Sequence, residues 1–376
     1  METKRDKVNE SSNRDEKAKA NELQLRPKVT VAMPVHNAEA YLDEAFEGIL
    51  AQTYEGEIEV SVRLDGCSDG SAAVCARWSK RFEEAKNKGF SFVLSAAEIA
   101  QGAGAARNHA VRQSSGTVLC MHDADDVSLP SRVAKQVAAL ANLPEAIVGS
   151  RFTRIPEDAT ARYTRWCNEL DTDGLYSQRF REVTLIQPTW AMTRKTFERA
   201  GGYIETEEDG RRALAEDLRF YYQHLEAGDA AGFSPRELLY KIEEPLLKYR
   251  HLSGSVSSKT PRKLLFRIKA KAMERSVLRD WKEFTIWNAG RDGRDFLKNL
   301  SPEFQKRVRG FCDIDEEKIK RGYFNPGLPT KHLPVVHFSQ AKVPIVCCVA
   351  MDRGGEFEAN LASLCLTEGR DYYHFT

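Results

Sequence analysis

Hydrophobic positions along the chain switch repeatedly between two periods. VTVAMPV (29–35), IEVSVRLD (58–65), FSFVLS (90–95) and the segment Thr117–Met121 are short apolar or alternating runs rich in β-branched residues, which is the pattern of a strand. Between them Tyr41, Leu42, Ala45, Phe46, Ile49 and Leu50 recur at helical spacing, as do Val74, Trp78 and Phe82, and then Val133, Val137 and Leu140. Asn37 is placed to cap the first of these helices. Strands alternating with helices predict an α/β fold built on a doubly wound, mostly parallel sheet through about residue 150. Ligands of such sheets gather at the carboxyl ends of the strands.

Beyond that point the pattern loosens. Residues 151–260 are richer in Arg, Trp and turns, with one clear helix around Leu214, Leu218, Tyr221 and Leu225. A basic amphipathic stretch follows, and FTIWNAGRDGRDFL opens a second strand–turn–helix series, continued by VRGFCDID, LPVVHF, VPIVCCVAM, a helix carrying Phe357, Leu361 and Leu364, and DYYHF. The expected organisation is a disordered charged tail (1–28), one large domain (29–260), a linker helix (261–283) and a small Rossmann-like C-terminal α/β domain (284–376). The tail carries 14 charged side chains and few large apolar ones, too little to bury against the entropy of ordering it.

Charge narrows the function classes. The 376 residues hold 56 Lys+Arg against 55 Asp+Glu, a net charge of +1, so the one-signed field of a polybasic nucleic-acid or membrane binder is missing. The apolar runs, such as Ile345–Met351, fall far short of the ~18 residues that would span a bilayer. The first residues are charged throughout, without the apolar core of a secretory signal or signal anchor. The eight cysteines form no C-x-x-C pair and several lie in apolar runs, which fits reduced thiols and a cytoplasmic address.

Four polar clusters carry candidate chemistry. Met121-His122-Asp123-Ala124-Asp125-Asp126 puts three carboxylates at the end of an apolar strand, where a D-x-D turn can aim two of them at one hard cation, Mg²⁺ or Mn²⁺; a solvated acidic loop gives the same string. Asp65-Gly66-Cys67-Ser68-Asp69-Gly70 also follows a strand. Its first carboxylate can accept from a ring N–H of a base, or the run is a glycine turn capped by Asp69. Gly102-Ala103-Gly104-Ala105-Ala106-Arg107-Asn108 opens a helix; its N–H groups and Arg107 suit a diphosphate, and tight helix packing explains the small residues equally. Ala215-Glu216-Asp217-Leu218 places paired acids on a helix, as a solvated face or as a general base for an incoming hydroxyl.

Taken in order, VTVAMPVHNAEAYLDEAF, RLDGCSDGS, GAARNHA, HDADD, RAGGY and AED resemble an inverting glycosyltransferase of family 2, with the GT-A fold, over roughly residues 29–260. Each motif is weak alone; the ordered set is specific. The C-terminal run Ile286-Trp287-Asn288-Ala289-Gly290-Arg291-Asp292-Gly293-Arg294 extends the likeness to a eukaryotic, β-1,3-N-acetylglucosaminyltransferase-like branch. The resemblance implies that Pro34 lines the nucleotide pocket, Asp65 meets the uracil, and Arg107 lies near the nucleotide. It further implies that Asp123 and Asp125 hold the metal (Mn²⁺ or Mg²⁺) and the diphosphate of a UDP-sugar, and that Asp217 is the catalytic base. His251, in Tyr249-Arg250-His251 with Ser255 beyond, matches a late motif and is a further metal or phosphate candidate. The acceptor, a glycan, a protein or a small molecule, is left open.

Two departures stand out. Leu64 replaces the first Asp of the family's D-D-G, and Cys67 takes a usual small polar position. The Q-x-x-R-W motif of processive polymerases is absent, with Ile186-Gln187-Pro188-Thr189-Trp190 in its place, so single transfer is expected. Two rivals are a sugar-nucleotide pyrophosphorylase, which would carry a Gly-rich basic loop where Pro34-Val35-His36-Asn37-Ala38 stands, and a catalytically silent nucleotide-sugar scaffold, which has no chemical need for Asp123, Asp125 and Asp217 together.

Overall fold

The computed structural model describes residues 26–252, 260–351 and 354–376. Most of the expected tail, residues 1–25, lies outside them. The chain forms two compact units, the first made of the described residues up to 168 with 186–216 and 240–251, the second of 169–185, 217–239 and the described residues from 252 onward. Among the described residues no helix is long and apolar enough to cross a membrane.

The first unit is built on an eight-stranded sheet. Its strands are β1 Val29–Val35, β2 Ile58–Asp65, β3 Phe90–Ala97, β4 Val118–Met121, β5 Val127–Ser128, β6 Ile147–Ile155, β7 Ala191–Thr193 and β8 Leu239–Arg250. In space they follow the order β3-β2-β1-β4-β7-β6-β8-β5. Strands β3, β2, β1 and β4 are parallel, as the alternation of periods predicts, and β7 then pairs antiparallel with β4. The expected α/β, mostly parallel architecture is therefore present, with antiparallel strands added on the β4 side. The register sets Val35 of β1 opposite Leu64 of β2, and Ala32 of β1 opposite Met121 of β4. Chain order runs one way from β1 through β2 to β3 and the other way to β4, so the carboxyl end of β1 is a switch point where a crevice opens.

The helices after β1 and β2 close one face of this sheet. In the helix Ser71–Glu84, Val74, Cys75, Trp78 and Phe82 are buried at the spacing the sequence shows. Phe46, from the helix Leu42–Leu50, lies 5.5 Å from Trp78 and 6.0 Å from Phe82, and Phe82 stacks on Phe92 of β3 at 5.4 Å. The Trp78 indole N–H donates to Asp43 at 2.5 Å, which satisfies its one polar atom. One local expectation is corrected: Asn37 caps nothing. The first helix begins at Leu42 after Tyr41, whereas Asn37 is left-handed (φ 50°) and its Oδ1 accepts the Ser68 backbone N–H at 2.7 Å, so the side chain ties two loops instead.

The second unit carries a five-stranded sheet of β9 Phe284–Trp287, β10 Val308–Asp313, β13 Val335–His337, β14 Ile345–Cys347 and β15 Tyr372–His374; the short pair β11 Tyr323–Phe324 and β12 His332–Leu333 stands apart. The five lie in the order β13-β10-β9-β14-β15. All their pairings are parallel, and by order of appearance they run 3-2-1-4-5, the Rossmann order. The turn after β9 needs its glycine: a Cβ at Gly293 would stand 1.9 Å from the Asn288 carbonyl oxygen. Asp313 at the end of β10 accepts the backbone N–H groups of Ala289, Ile314 and Asp315, and the Lys318 ammonium.

Two consequences are measurable. Trp78→Ala should lower the free energy of unfolding by about 3–5 kcal/mol, because it empties the centre of the aromatic cluster; urea titration reads this directly, and a loss under ~1 kcal/mol would contradict the packing. Lys269, buried, donates to the carbonyls of Arg181 and Phe375, and burial pushes its ammonium down to about 8. The unfolded chain then holds more protons than the folded one between about 8 and the ordinary 10.5, so this group makes stability rise with pH across that window. Relative to Lys269→Met, the wild type should gain roughly 2–3 kcal/mol between about pH 7.5 and pH 10 in matched denaturant titrations.

Candidate active site

β4 is wholly buried and delivers the acidic loop to the crevice. One oxygen from each of Asp123, Asp125 and Asp126 lies within 4.8 Å of the others. Such crowding is costly. Burial first, then the Asp123 charge, pushes the Asp125 carboxyl up to about 6, and burial with both neighbouring carboxylates drives Asp126 well above the carboxylate range. Asp126 is fully buried; its Oδ1 accepts the Arg250 backbone N–H at 2.8 Å, while its Oδ2 has no hydrogen-bond partner among the described residues.

Three arginines frame the loop. Arg132 is buried; its guanidinium donates to the Met121 carbonyl, the Ser128 hydroxyl and the Gln136 amide oxygen, which fastens both ends of residues 122–127. Arg250 donates through Nε to the Asp125 carbonyl and through Nη2 to Glu44. Burial, then Arg132, holds His122 down to about 3, so its ring is neutral and Nδ1–H donates to the Asp123 carbonyl at 2.7 Å.

The helix Ala103–Arg112 supplies the third cation. Arg107, with a side chain 5% exposed, donates through Nη2 to Asp123 at 2.5 Å and through Nη1 to Glu216 at 2.6 Å. Asn108 brackets Tyr203, accepting from its N–H and donating to its carbonyl, and donates also to Glu205. A Cβ at Gly104 would lie 3.2 Å from both the Glu216 Cβ and the Ile204 carbonyl. The small residues of this run therefore serve close packing of one helix face against residues 203–216.

Asp65 ends β2 and is buried. Its two carboxylate oxygens accept the backbone N–H groups of Gln101, at 2.7 Å, and Gly102, at 2.8 Å, which anchors the loop leading into the Ala103–Arg112 helix. Gly66 beside it is left-handed (φ 63°), and a Cβ there would strike the Ala100 nitrogen at 2.4 Å. Pro34 sits half-buried near the end of β1, opposite Arg63 of β2. The Cys67 thiol lies 3.2 Å from the Val35 carbonyl.

Asp123, Asp125 and Arg107 are thus brought together, and the carboxylates of Asp126 and Glu216 join them. Neither of the latter two was singled out by sequence reasoning for this role, although both adjoin acids that were. His251 is exposed and is not part of the carboxylate group. Its backbone N–H donates to the Ile155 carbonyl at 2.8 Å, which fixes the chain just past β8. Asp217 stands one peptide bond beyond Glu216, in the first turn of the helix Glu216–Ala230, where its carboxylate accepts the Leu218 N–H at 2.7 Å. Ser255 lies outside the described residues.

Residues 30–201 match the family model described as Glycosyl transferase family 2. This stretch, under half of the chain, is similar to family 2 glycosyltransferases. It contains Pro34, Asp65, Arg107, Asp123 and Asp125, and it ends before Asp217 and His251. Among curated relatives, the putative glycosyltransferase EpsE of Bacillus subtilis is 26% identical over 235 residues, 61% of this chain and 78% of EpsE. The probable glycosyltransferase YdaM of the same organism is 25% identical over 226 residues, 58% of this chain and about half (51%) of YdaM. Among solved structures, S. aureus TarS in complex with UDP covers 75% of this chain and 84% of its own at a TM-score of 0.49 and 15% identity.

The donor set of the acidic loop fits a hard divalent cation: three carboxylates at one point, one of them with a buried oxygen that has no hydrogen-bond partner among the described residues. Calorimetric titration with Mn²⁺ should find one site in the wild type, weakened by at least ~10-fold in Asp125→Ala. Equal affinity in the two proteins would remove the loop from metal binding.

Proposed function

We propose that this protein transfers a sugar, N-acetylglucosamine being the candidate, from a UDP-sugar to an acceptor hydroxyl with inversion at the anomeric carbon. The observation that carries the reading is the trio of crowded carboxylates at the switch point of the first sheet, inside the stretch that matches the Glycosyl transferase family 2 model. The choice of sugar rests on the resemblance of residues 286–294 to a β-1,3-N-acetylglucosaminyltransferase-like branch, read from the sequence alone. Pro34 and Asp65 would line the base pocket; each Asp65 oxygen has one lone pair left beyond its loop bond.

Asp123 and Asp125 would hold Mn²⁺ or Mg²⁺, and the ion, when bound, offsets the charge that builds on the departing diphosphate. The residues do the rest. The acceptor oxygen forms its bond to the anomeric carbon from the face opposite the diphosphate. The bond from that carbon to the diphosphate oxygen breaks, and its electron pair leaves with UDP. Asp217 takes the acceptor's hydroxyl proton, and because the bound ion would offset the charge of the departing diphosphate, no separate acid is required on the leaving side.

Asp217→Asn should keep Mn²⁺ and UDP affinity within about threefold of wild type and lower UDP release from UDP-N-acetylglucosamine by roughly 10²–10⁴-fold, the usual contribution of a general base. UDP release at the wild-type rate would exclude Asp217 from that role. Activity with UDP-glucose or UDP-galactose but not with UDP-N-acetylglucosamine would correct the sugar and leave the mechanism standing.

A further inference from the structure

We infer that Arg107 is a positioning residue, which holds the acidic metal loop and the chain at Glu216 in one charge-balanced frame. The inference rests on the reading of Asp123 and Asp125 as the metal pair and of Asp217 as the base. Its evidence is geometric and lies within the first unit. One buried guanidinium bridges two carboxylates that are 16 and 109 residues away in sequence, Asp123 at 2.5 Å and Glu216 at 2.6 Å. Both terminal nitrogens are engaged, and the side chain is 5% exposed. Its Nε has no hydrogen-bond partner among the described residues, so it is burial, not exhausted donors, that sets Arg107 apart from a surface ligand of a diphosphate.

The rest of the helix face serves the same end. Gly104, Arg107, Asn108 and Arg112 fall at i, i+3, i+4 and i+8, which aligns them along one side of the helix. Gly104 admits Glu216, Asn108 grips Tyr203 and Glu205, and Arg112 pairs with Glu205 at 3.1 Å. This face thus fixes the chain from Tyr203 to Glu216 as well as one carboxylate of the metal loop. A planar guanidinium suits the bridge because its fork presents donors in two directions at once, which a lysine ammonium on a flexible stem does not.

Removing the guanidinium has two opposed effects. The carboxylate group becomes more negative, which favours a bare cation; Glu216 loses its hold, which lets the next residue, Asp217, drift. A displacement of about 1 Å in a reacting group can cost on the order of 10²-fold in rate. In Arg107→Met, calorimetry with Mn²⁺ alone should therefore show affinity equal to or tighter than wild type, and UDP affinity in Mn²⁺ should stay within about threefold. UDP release from UDP-N-acetylglucosamine at saturating donor should fall by roughly 100-fold. Arg107→Lys should fall between, since it keeps the charge and loses the fork.

Glu216→Gln, which leaves Arg107 and the metal loop intact, should slow release in the same direction. The double variant Arg107→Met/Glu216→Gln should be no slower than the worse single one, because both remove one shared contact. Circular-dichroism melting checks folding, and Arg107→Lys with Glu216→Gln carries the test if Arg107→Met does not fold. UDP affinity lost by ~10-fold or more with turnover retained would make Arg107 a direct diphosphate ligand and overturn the inference, and so would multiplying effects in the double variant. Wild-type protein that binds neither Mn²⁺ nor UDP would instead overturn the site reading itself, and with it this inference.

Discussion

Everything at the candidate site depends on the crowding of three carboxylates at the end of one buried strand. Like charges within 4.8 Å in a low-dielectric setting repel strongly, and the chain answers with Arg107, Arg132 and Arg250. The division of labour among the three is physical. Arg132 and Arg250 each donate to one backbone carbonyl, of Met121 and of Asp125, and so hold the shape of the loop, while Arg107 bonds to two carboxylates, Asp123 of the loop and Glu216. The remaining imbalance falls on Asp125 and Asp126, whose carboxyls titrate high. Such a cluster stores an affinity for a cation, because bringing in positive charge relieves repulsion already present in the fold.

The parallel half of the first sheet was legible in the sequence because each strand is a contiguous apolar or alternating run, and β1, β2 and β4 are buried almost throughout. VTVAMPV reads as a near-continuous apolar run and IEVSVRLD as an alternation of apolar and polar residues. The strands added beyond β4 were not legible. β8, LYKIEEPLLKYR, interrupts its own alternation with Glu243, Glu244 and Pro245, which are exposed, so no period emerges from a strand of 12 residues. β7 has three residues and β5 two, too few to show a period at all. Asn37 misled for a related reason: its side chain had two possible partners, a helix end or another loop, and only tertiary structure chooses.

The acidic loop was legible because strand and carboxylates are contiguous in sequence. The Arg107–Glu216 pair was not, since its partners are 109 residues apart and nothing local couples them. The same distinction separates two readings of GAGAARNHA. A glycine run before an arginine suits a diphosphate and suits a tightly packed helix equally; the fold adds what no local pattern shows, that the guanidinium meets Asp123 and Glu216. Asp65 teaches the parallel lesson at the next strand, where a carboxylate placed to meet a ligand is also what ties down the loop at Gln101 and Gly102.

The two sheets offer an internal control on what an acid at or just past a strand end means. Each has a switch point, and each places aspartate there. In the second unit Asp313 accepts three backbone N–H groups and one ammonium, which fills the roughly four lone-pair sites of a carboxylate. A ribose hydroxyl would find no acceptor there, and the acid works instead as a clasp on the turn after β9. In the first unit Asp126 keeps a buried oxygen with no hydrogen-bond partner among the described residues, next to two more carboxylates. Burying such an atom costs free energy unless something completes it. Satisfied acids fasten a fold; under-satisfied ones, held in place by arginines at some cost to stability, are where a ligand has something to add.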